Sequence, residues 1–374
     1  MVLKFTVILL LLSTCDGYFI DKEFEWKYVK YLEAEVVDEW IDRLNTFDET
    51  KNTLRLARKL GEELQSDDDY EKFFDHILQF NKNYETEEEL SFRFEVIKNS
   101  LKDIEKRQET NPEAQYGLTE LSDLTKEEFF EFYANLQMKD LEDFPLIEDN
   151  PESNVTAKLM APASFDWRTA KKVSGVKDQK RCGSCYAFAA VAAIESIHAI
   201  KRGQLYDLSA QQAVSCTFGN VNHGCQGGVP DNVMSYFTTH GITTWDKFPY
   251  VSGDHQQIPP CTPKPSVTKL NRIGILKAHD ENGIKETVFN NGPVVSGIDA
   301  SALQHYRGGI VHHQVGKPSL NHAVLTVGYG SERGDDYFII KNSWGRGWGE
   351  GGYFRCGRNR NDMNIALYNV AAYI

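Results

Sequence analysis

What this chain lacks narrows its class before anything in it is interpreted. No apolar run reaches the roughly 18 residues that a spanning helix needs. The block Phe5 to Leu12, with Lys4 before it and small and polar residues after it, reads instead as a secretory signal peptide over residues 1–17. No internal repeat is present, which excludes a solenoid or propeller array, and low complexity is confined to short acid clusters, Asp67 to Asp69 and Glu87 to Glu89. No patch gathers basic and aromatic side chains, so nucleic acid is not an expected partner. Cysteine is scarce, at seven in 374 residues. Cys15 leaves with the signal, and the other six enter an oxidising compartment in which disulfides persist.

What is present is enough apolar material, 41% of residues, to bury more than one core. Charge divides unevenly along the chain. Up to residue 160 there are 38 acidic against 19 basic side chains, and beyond it 16 against 22. Either an acidic, solvated segment precedes an ordinary domain, or two pieces of opposite sign attract each other. Within residues 18–67 the apolar positions Val29, Leu32, Val36, Trp40, Ile41 and Leu44, then Leu54, Leu56, Leu60 and Leu64, follow helical spacing and suggest a helical hairpin. Residues 68–135 continue the helical pattern through Phe73, Phe74, Ile77 and Leu78, then Phe94, Ile97, Leu101 and Ile104. Residues 136–161 lose all periodicity and hold Pro145, Pro151, several acids and a glycosylation acceptor, Asn154, which together indicate an exposed linker. In residues 162–374 a helix over Tyr186 to Lys201 is followed by β-branched runs at Pro293 to Ala300, Ala323 to Tyr329 and Tyr337 to Asn342. That order is a helical half followed by a β-rich half, an α+β class.

The stretch QKRCGSCYAF, Gln179 to Phe188, puts two cysteines three residues apart at the start of an apolar helix. Cys185 sits where that helix begins, and unpaired backbone N–H groups at a helix N-terminus lower the pKa of a nearby thiol. A redox pair would need a thioredoxin-like βαβ pattern around it, which is absent. A zinc site built from Cys182, Cys185, Cys216 and Cys225 would lack the second CxxC pair usual for such sites. A structural disulfide half remains the default for any one secreted cysteine.

CGSCY, however, together with Asn321-His322-Ala323 and Asn342-Ser343-Trp344-Gly345, 137 and 157 residues downstream of Cys185 for the histidine and asparagine, resembles the papain family of cysteine proteases. The resemblance spans about residues 70 to 374 and implies a two-lobed papain-like fold preceded by a helical propeptide, as in cathepsin L-like zymogens. It assigns Cys185 as nucleophile, His322 as its proton partner in a thiolate–imidazolium pair, and Asn342 as the group that fixes the histidine ring. Trp344 would shield that last bond. The oxyanion donors would be the Gln179 side chain and the Cys185 backbone N–H. No metal or other cofactor is implied. Partners would be peptide or protein substrates and the chain's own propeptide, acting as intramolecular inhibitor of a monomer that is secreted or lysosomal.

By the same resemblance Gly227 and Gly228 form a cleft wall with exposed backbone, and Val229, Pro230, Gly297, Leu320 and Ala323 line the S2 pocket, with Asn369 at its floor. That set implies an apolar P2 preference. Disulfides are implied at Cys182–Cys225 and Cys216–Cys261. A third bridge common in the family has no cysteines to make it, since the loop His312 to Asn321 has none and Asn364 stands where one is usual, which leaves Cys356 unpaired. The propeptide pattern falls on Glu89, Arg93, Ile97, Ser100, Ile104 and Gln108, then on a turn through Gly117, Thr119, Leu121 and Asp123. Lys180 and Arg181 depart from the uncharged residues usual beside the oxyanion glutamine, and no insertion between Cys225 and Pro293 suggests an exopeptidase. The opposing reading is a catalytically silent papain-fold binding or inhibitory protein, against which the intact Cys185, His322, Asn342 and Gln179 argue.

Overall fold

The computed structural model describes residues 52–57, 59–61, 68–137, 160–219, 221–262, 264–316 and 319–374. The signal peptide, most of the expected hairpin, Asn154 and nearly all of the linker lie outside them. The chain divides into two compact units, residues 1–91 and 92–374.

In the first unit, residues 52–57 and 59–61 are helical and α1 runs Asp68–Phe80. The Tyr70 hydroxyl donates to the Ala57 carbonyl at 2.6 Å, and the Thr53 hydroxyl accepts from the Tyr84 N–H at 2.7 Å. The buried Ala57, Phe73 and Ile77 explain the apolar stripe read there.

Helix α2, Glu87–Thr110, leads from the first unit into the second. There follow β1 Ala114–Tyr116, α3 Lys126–Tyr133, β2 Phe165–Asp166, α4 Cys185–Arg202, α5 Ala210–Cys216, α6 Pro230–Thr239, α7 Ser252–His255, β3 Arg272–Ile275, α8 Glu281–Asn290 and β4 Val294–Ile298. The chain closes with β5 Tyr306–Val311, β6 His322–Glu332, β7 Asp335–Lys341, β8 Tyr353–Gly357 and β9 Asn369–Tyr373. The described strands form one sheet in the order β1-β5-β8-β7-β6-β4-β9-β3, with β2 added on β6. One apolar cluster centres on α4 with Val233, Phe237 and Ile242, and a second lies inside the sheet around Trp344, Trp348, Phe338 and Phe354. These are the two lobes of an α+β papain-like fold. α4 is buried from Cys185 to Ala199 and mostly apolar there, with Glu195, Ser196 and His198 as the buried polar exceptions.

Sequence periodicity gave no sign of β1. Its three residues become a strand only by pairing antiparallel with β5, Ala114 opposite Gly309. Main-chain pairing at a sheet edge needs no particular side chain, so it leaves no hydrophobic pattern. The pro-segment residues picked out by their motif tie α2 to the turn that follows. Arg93 makes a two-point contact with Glu128, at 2.6 and 2.9 Å, the Ser100 hydroxyl donates to the Ser122 carbonyl, and Gln108 donates to Ala114 O. Thr125 and Glu128 form a reciprocal cap on α3. The turn then docks by largely uncharged bonds: Thr119 Oγ1 to Gln304 O at 2.7 Å, Gln304 Nε2 to Leu121 O and Leu124 O, and Ser122 Oγ with His305 Nδ1 at 2.9 Å. Asp103 faces His305 at 3.9 Å.

Disulfides join Cys182 to Cys225 and Cys216 to Cys261. Cys185 and Cys356 are free and buried. Where a third bridge is usual, Asn364 Nδ2 donates instead to Ser319 O at 3.2 Å, and His312 lies between the carboxylates of Asp362 and Asp335 at 2.9 and 2.6 Å.

Gly309 controls the seam between β1 and β5. Its φ of +83° disfavours any L side chain, and a Cβ there would lie 2.2 Å from the Glu113 carbonyl oxygen, which accepts from the Ile310 N–H. Gly309→Ala is expected to destabilise the fold by about 2 kcal/mol in urea unfolding and to speed hydrogen exchange at Ile310. Unchanged exchange at that amide would mean that β1 does not depend on the glycine.

Candidate active site

Four segments distant in sequence meet at the N-terminus of α4. Ser184 precedes the helix without a side-chain cap bond, so the first-turn N–H groups are not claimed by a neighbouring hydroxyl. The Cys185 sulfur lies against backbone N–H groups of Ala323, Asn135, Tyr186 and Cys185 itself. Ala323 directly follows His322, and the antiparallel pairing of β4 with β6 sets His322 opposite Ile298 at the strand's first residue. From β6 the chain turns into β7, whose end delivers Asn342.

His322 Nε2 is 2.7 Å from Asn342 Oδ1. That oxygen also accepts the Ser343 N–H at 2.9 Å, so it is the amide's acceptor end and Nε2 must carry the proton. Nδ1 is therefore the basic nitrogen, and it is buried with no hydrogen-bond partner. Trp344, fully buried, covers the ring with a centroid separation of 4.7 Å and donates its indole N–H to Tyr133 O at 3.1 Å.

Gln179 is held on both sides. Its backbone N–H donates to Ser343 O at 2.8 Å, and its Oε1 accepts the Ser343 hydroxyl at 2.7 Å. This leaves Nε2 aimed into the cleft, where it donates to Phe132 O at 3.0 Å and to Cys182 O at 3.1 Å. Ser343 was not picked out as a site residue in the sequence. It stands between Asn342 and Trp344 in the recognised run, which was the only signal available.

Residues 132–137 of the pro-segment occupy this cleft. Leu136 donates its N–H to Asn321 O at 2.8 Å and pairs with Gly228, whose carbonyl accepts the Gln137 N–H at 3.1 Å. The segment expected to be linker from residue 136 therefore starts later, because Leu136 and Gln137 are bound in the cleft. The two wall glycines serve different ends. A Cβ on Gly227, φ +95°, would sit 2.3 Å from the Asn135 carbonyl oxygen, whereas one on Gly228 would strike Asn222 and Tyr186 within the wall itself.

Leu136 is buried in an apolar pocket with Val229, Ala323 and Tyr368, and Leu320 packs against the same cluster. Pro230, also buried, opens α6 beside it. A Cβ on Gly297 would meet Tyr368, Leu136 and Leu320 at 3.1 to 3.3 Å. Asn369 does not reach this pocket: its Oδ1 accepts from Ser296 and its Nδ2 donates to Ile365 O. Successive strand residues face opposite sides, and the residue that closes the pocket is Tyr368, one position earlier, with its hydroxyl bonded to Asp231 at 2.9 Å.

Burial decides the protonation state in this closed form. It pushes the Cys185 thiol up to about 11 against the opposing pull of the surrounding N–H groups, and pulls His322 down to about 4 although the Asn342 bond favours its charged form. The lowered thiol pKa expected from the helix N-terminus is reversed here, since losing water outweighs a few oriented amides. Both groups are neutral. Residues 132–137 also place different peptide groups at Gln179 and at the sulfur. The carbonyl bonded by Gln179 belongs to Phe132, while the group at the sulfur is the Asn135 N–H, so no peptide carbonyl is polarised and in line for attack at once.

The sequence profile described as papain family cysteine protease matches residues 161–373, and that of the cathepsin propeptide inhibitor domain matches residues 73–129. The chain is 36% identical over 319 residues to a viral cathepsin of Heliothis zea nuclear polyhedrosis virus, covering 80% of this chain and 83% of that one. It is 34% identical to fruit bromelain of Ananas comosus, covering 77% and 80%. The solved structure of digestive procathepsin L 3 from the Tenebrio molitor larval midgut superposes with a TM-score of 0.72 at 34% identity, covering 83% of this chain and all of that one.

A thiol near 11 leaves about a hundredfold less thiolate at pH 7 than an ordinary cysteine. Alkylation of Cys185 by iodoacetamide in the intact zymogen is therefore expected to be at least about a hundredfold slower than after removal of the pro-segment, as read by peptide mass mapping. Equal rates would show that the pro-segment does not suppress the thiolate.

Proposed function

The chain belongs to the papain family of cysteine proteases and carries that family's inhibitory propeptide, and from that premise we propose that it is a zymogen of an endopeptidase acting through Cys185, His322, Asn342 and Gln179. The observation that carries this reading is the convergence of an uncapped helix N-terminus, a basic imidazole nitrogen without a partner and an outward-aimed amide on one cleft that a peptide already occupies. Once the pro-segment leaves, water re-enters and the burial that keeps both groups neutral is relieved. The proton then moves from Cys185 Sγ to His322 Nδ1, and the thiolate attacks the scissile carbonyl. Gln179 Nε2 and the Cys185 N–H hold the oxyanion. His322 returns the proton to the departing amine, and water, deprotonated by the same nitrogen, releases the acid from the thioester.

The peptide groups now held by Leu136 stand in for a substrate on its acyl side. With Tyr368 tied to Asp231 at the pocket's end, leucine is the P2 residue of best fit, and Asn369, bonded to Ser296 in the sheet, takes no part in the pocket. Processing occurs between Leu159 and Ala163, where Met160 is 92% exposed. The secreted or lysosomal location rests on residues 1–17 and the family.

In hydrolysis of a leucine-P2 peptide, Cys185→Ala is expected to abolish turnover with folding intact. His322→Ala should fall nearly as far, and Asn342→Ala less, because orienting a ring contributes less than transferring the proton. A Cys185→Ala variant that kept more than trace activity would overturn the assignment.

Acid should release the pro-segment. Burial alone would raise Asp103 and Glu128, but Arg107 and His305 beside the first, and Arg93, the Thr125 N–H and Arg181 beside the second, leave both carboxyls below their ordinary values. A carboxyl depressed in the folded form contributes stability above its unfolded pKa, near ~4, and loses that contribution as pH falls through the folded value. Both main partners, Arg107 and Arg93, lie within the pro-segment, so it is the pro-segment's own fold that acid loosens. Processing followed on gels is therefore expected to accelerate steeply below about pH 4.5 and to respond only weakly to salt at neutral pH. Strong salt-driven processing at pH 7 would favour instead the attraction between oppositely charged halves.

A further inference from the structure

The two basic residues beside Gln179 have separate fates. Lys180, at φ 52°, is anchored by an ion pair with Asp254 and by its backbone N–H to Asp178. Arg181 is exposed, and among the described residues its guanidinium makes no hydrogen bond or ion pair. It lies instead over the ring of Phe132, 4.8 Å from the centroid.

The position of Phe132 relative to the reacting atoms is fixed by its neighbours. Asn135 meets the sulfur, and Leu136 and Gln137 occupy the acyl side with Gly228 and the apolar pocket. Phe132 and Tyr133 lie on the other side of the sulfur, against Gln179 and Trp344, where the leaving amine's residues pass. We propose that in the active enzyme Arg181 is a specificity-determining residue for the leaving-group side of the cleft, receiving an aromatic side chain in place of Phe132. When the pro-segment departs, the guanidinium keeps its charge and its planar face and loses the ring that covers it. A carboxylate is the competing occupant, but the group the structure places on Arg181 is a ring, and Glu128, the nearby acid, is already held by Arg93 at two points.

This inference rests on the cleft reading proposed above, and its test separates the two. Acid-processed wild-type enzyme, Arg181→Gln and Arg181→Lys would be compared on quenched-fluorescence peptides with leucine fixed at P2. The two residues beyond the scissile bond would be varied among phenylalanine, alanine and glutamate. Cleavage of the alanine peptide by wild type, at the bond that leucine specifies, tests the cleft reading. The ratio of kcat/KM for phenylalanine over alanine tests Arg181. Wild type is expected to favour phenylalanine by about two- to fivefold, the range of an exposed cation–π contact. Arg181→Gln should bring the ratio to about one, and Arg181→Lys should leave an intermediate value. A ratio that survives Arg181→Gln, or a glutamate preference exceeding the aromatic one and lost in that variant, would overturn the proposal.

Discussion

The Cys185 thiol and the His322 imidazole are buried together beneath residues 132–137, and the contacts that keep that cover in place run through much of the chain. The attractive forces on the Cys185 thiolate are real: an uncapped helix start and several N–H groups point at the sulfur. They lose to desolvation while residues 132–137 cover the cleft, because an ion stripped of water costs more than a few fixed dipoles return. On the function proposed above, latency is electrostatic as well as steric. His322 Nδ1 has no hydrogen-bond partner, the sulfur included, and the Cys185 sulfur faces the Asn135 N–H instead of a peptide carbonyl.

Holding that cover in place takes a folded pro-segment of its own. Helix α2 supplies Arg93, Ser100 and Gln108, which grip the turn and β1, and β1 extends the sheet of the mature domain through β5. The anchoring to loop 304–307 is mainly by uncharged hydrogen bonds, joined by the Arg307 guanidinium on Leu118 O and by Asp103 facing His305, while the two-point Arg93–Glu128 pair and the Arg107–Asp103 pair lie inside the pro-segment. This separates two jobs. The interface chiefly supplies register, and the internal carboxylate pairs are the groups that respond to acid. The acidic excess counted along the first 160 residues falls in large part outside the described residues, and within them Asp103 faces His305 and Glu128 feels Arg181.

Local chemistry was legible before any coordinates. Cys185 at a helix start, His322 opening a strand and Asn342 just past the end of one are consequences of short motifs whose neighbours dictate their conformation. What the motifs did not carry was the direction of side chains along a strand. Asn369 and Tyr368 are adjacent, and a shift of one residue exchanges pocket for sheet interior. Only the pairing of β4 with β9, Ser296 opposite Asn369, settles which of them turns inward. Ser343 was hidden for a related reason: a serine between two recognised residues has no distinctive signal until its hydroxyl is found on Gln179.

The sequence alone determined the family chemistry, the order of pro-segment and catalytic domain, the α+β class and which two of the six later cysteines, Cys185 and Cys356, stay unbridged, because each depends on residues close together in the chain or on a fixed motif. Tertiary structure decided the rest: the strand character of β1, the extension of the cleft-bound segment to Gln137, the closure of the apolar pocket by Tyr368, and the neutral state of Cys185 and His322. Each of those depends on what comes to lie across from a residue and on how much water remains there. Neither burial nor pairing partner is written in local sequence, and a pKa or a three-residue strand is set by both.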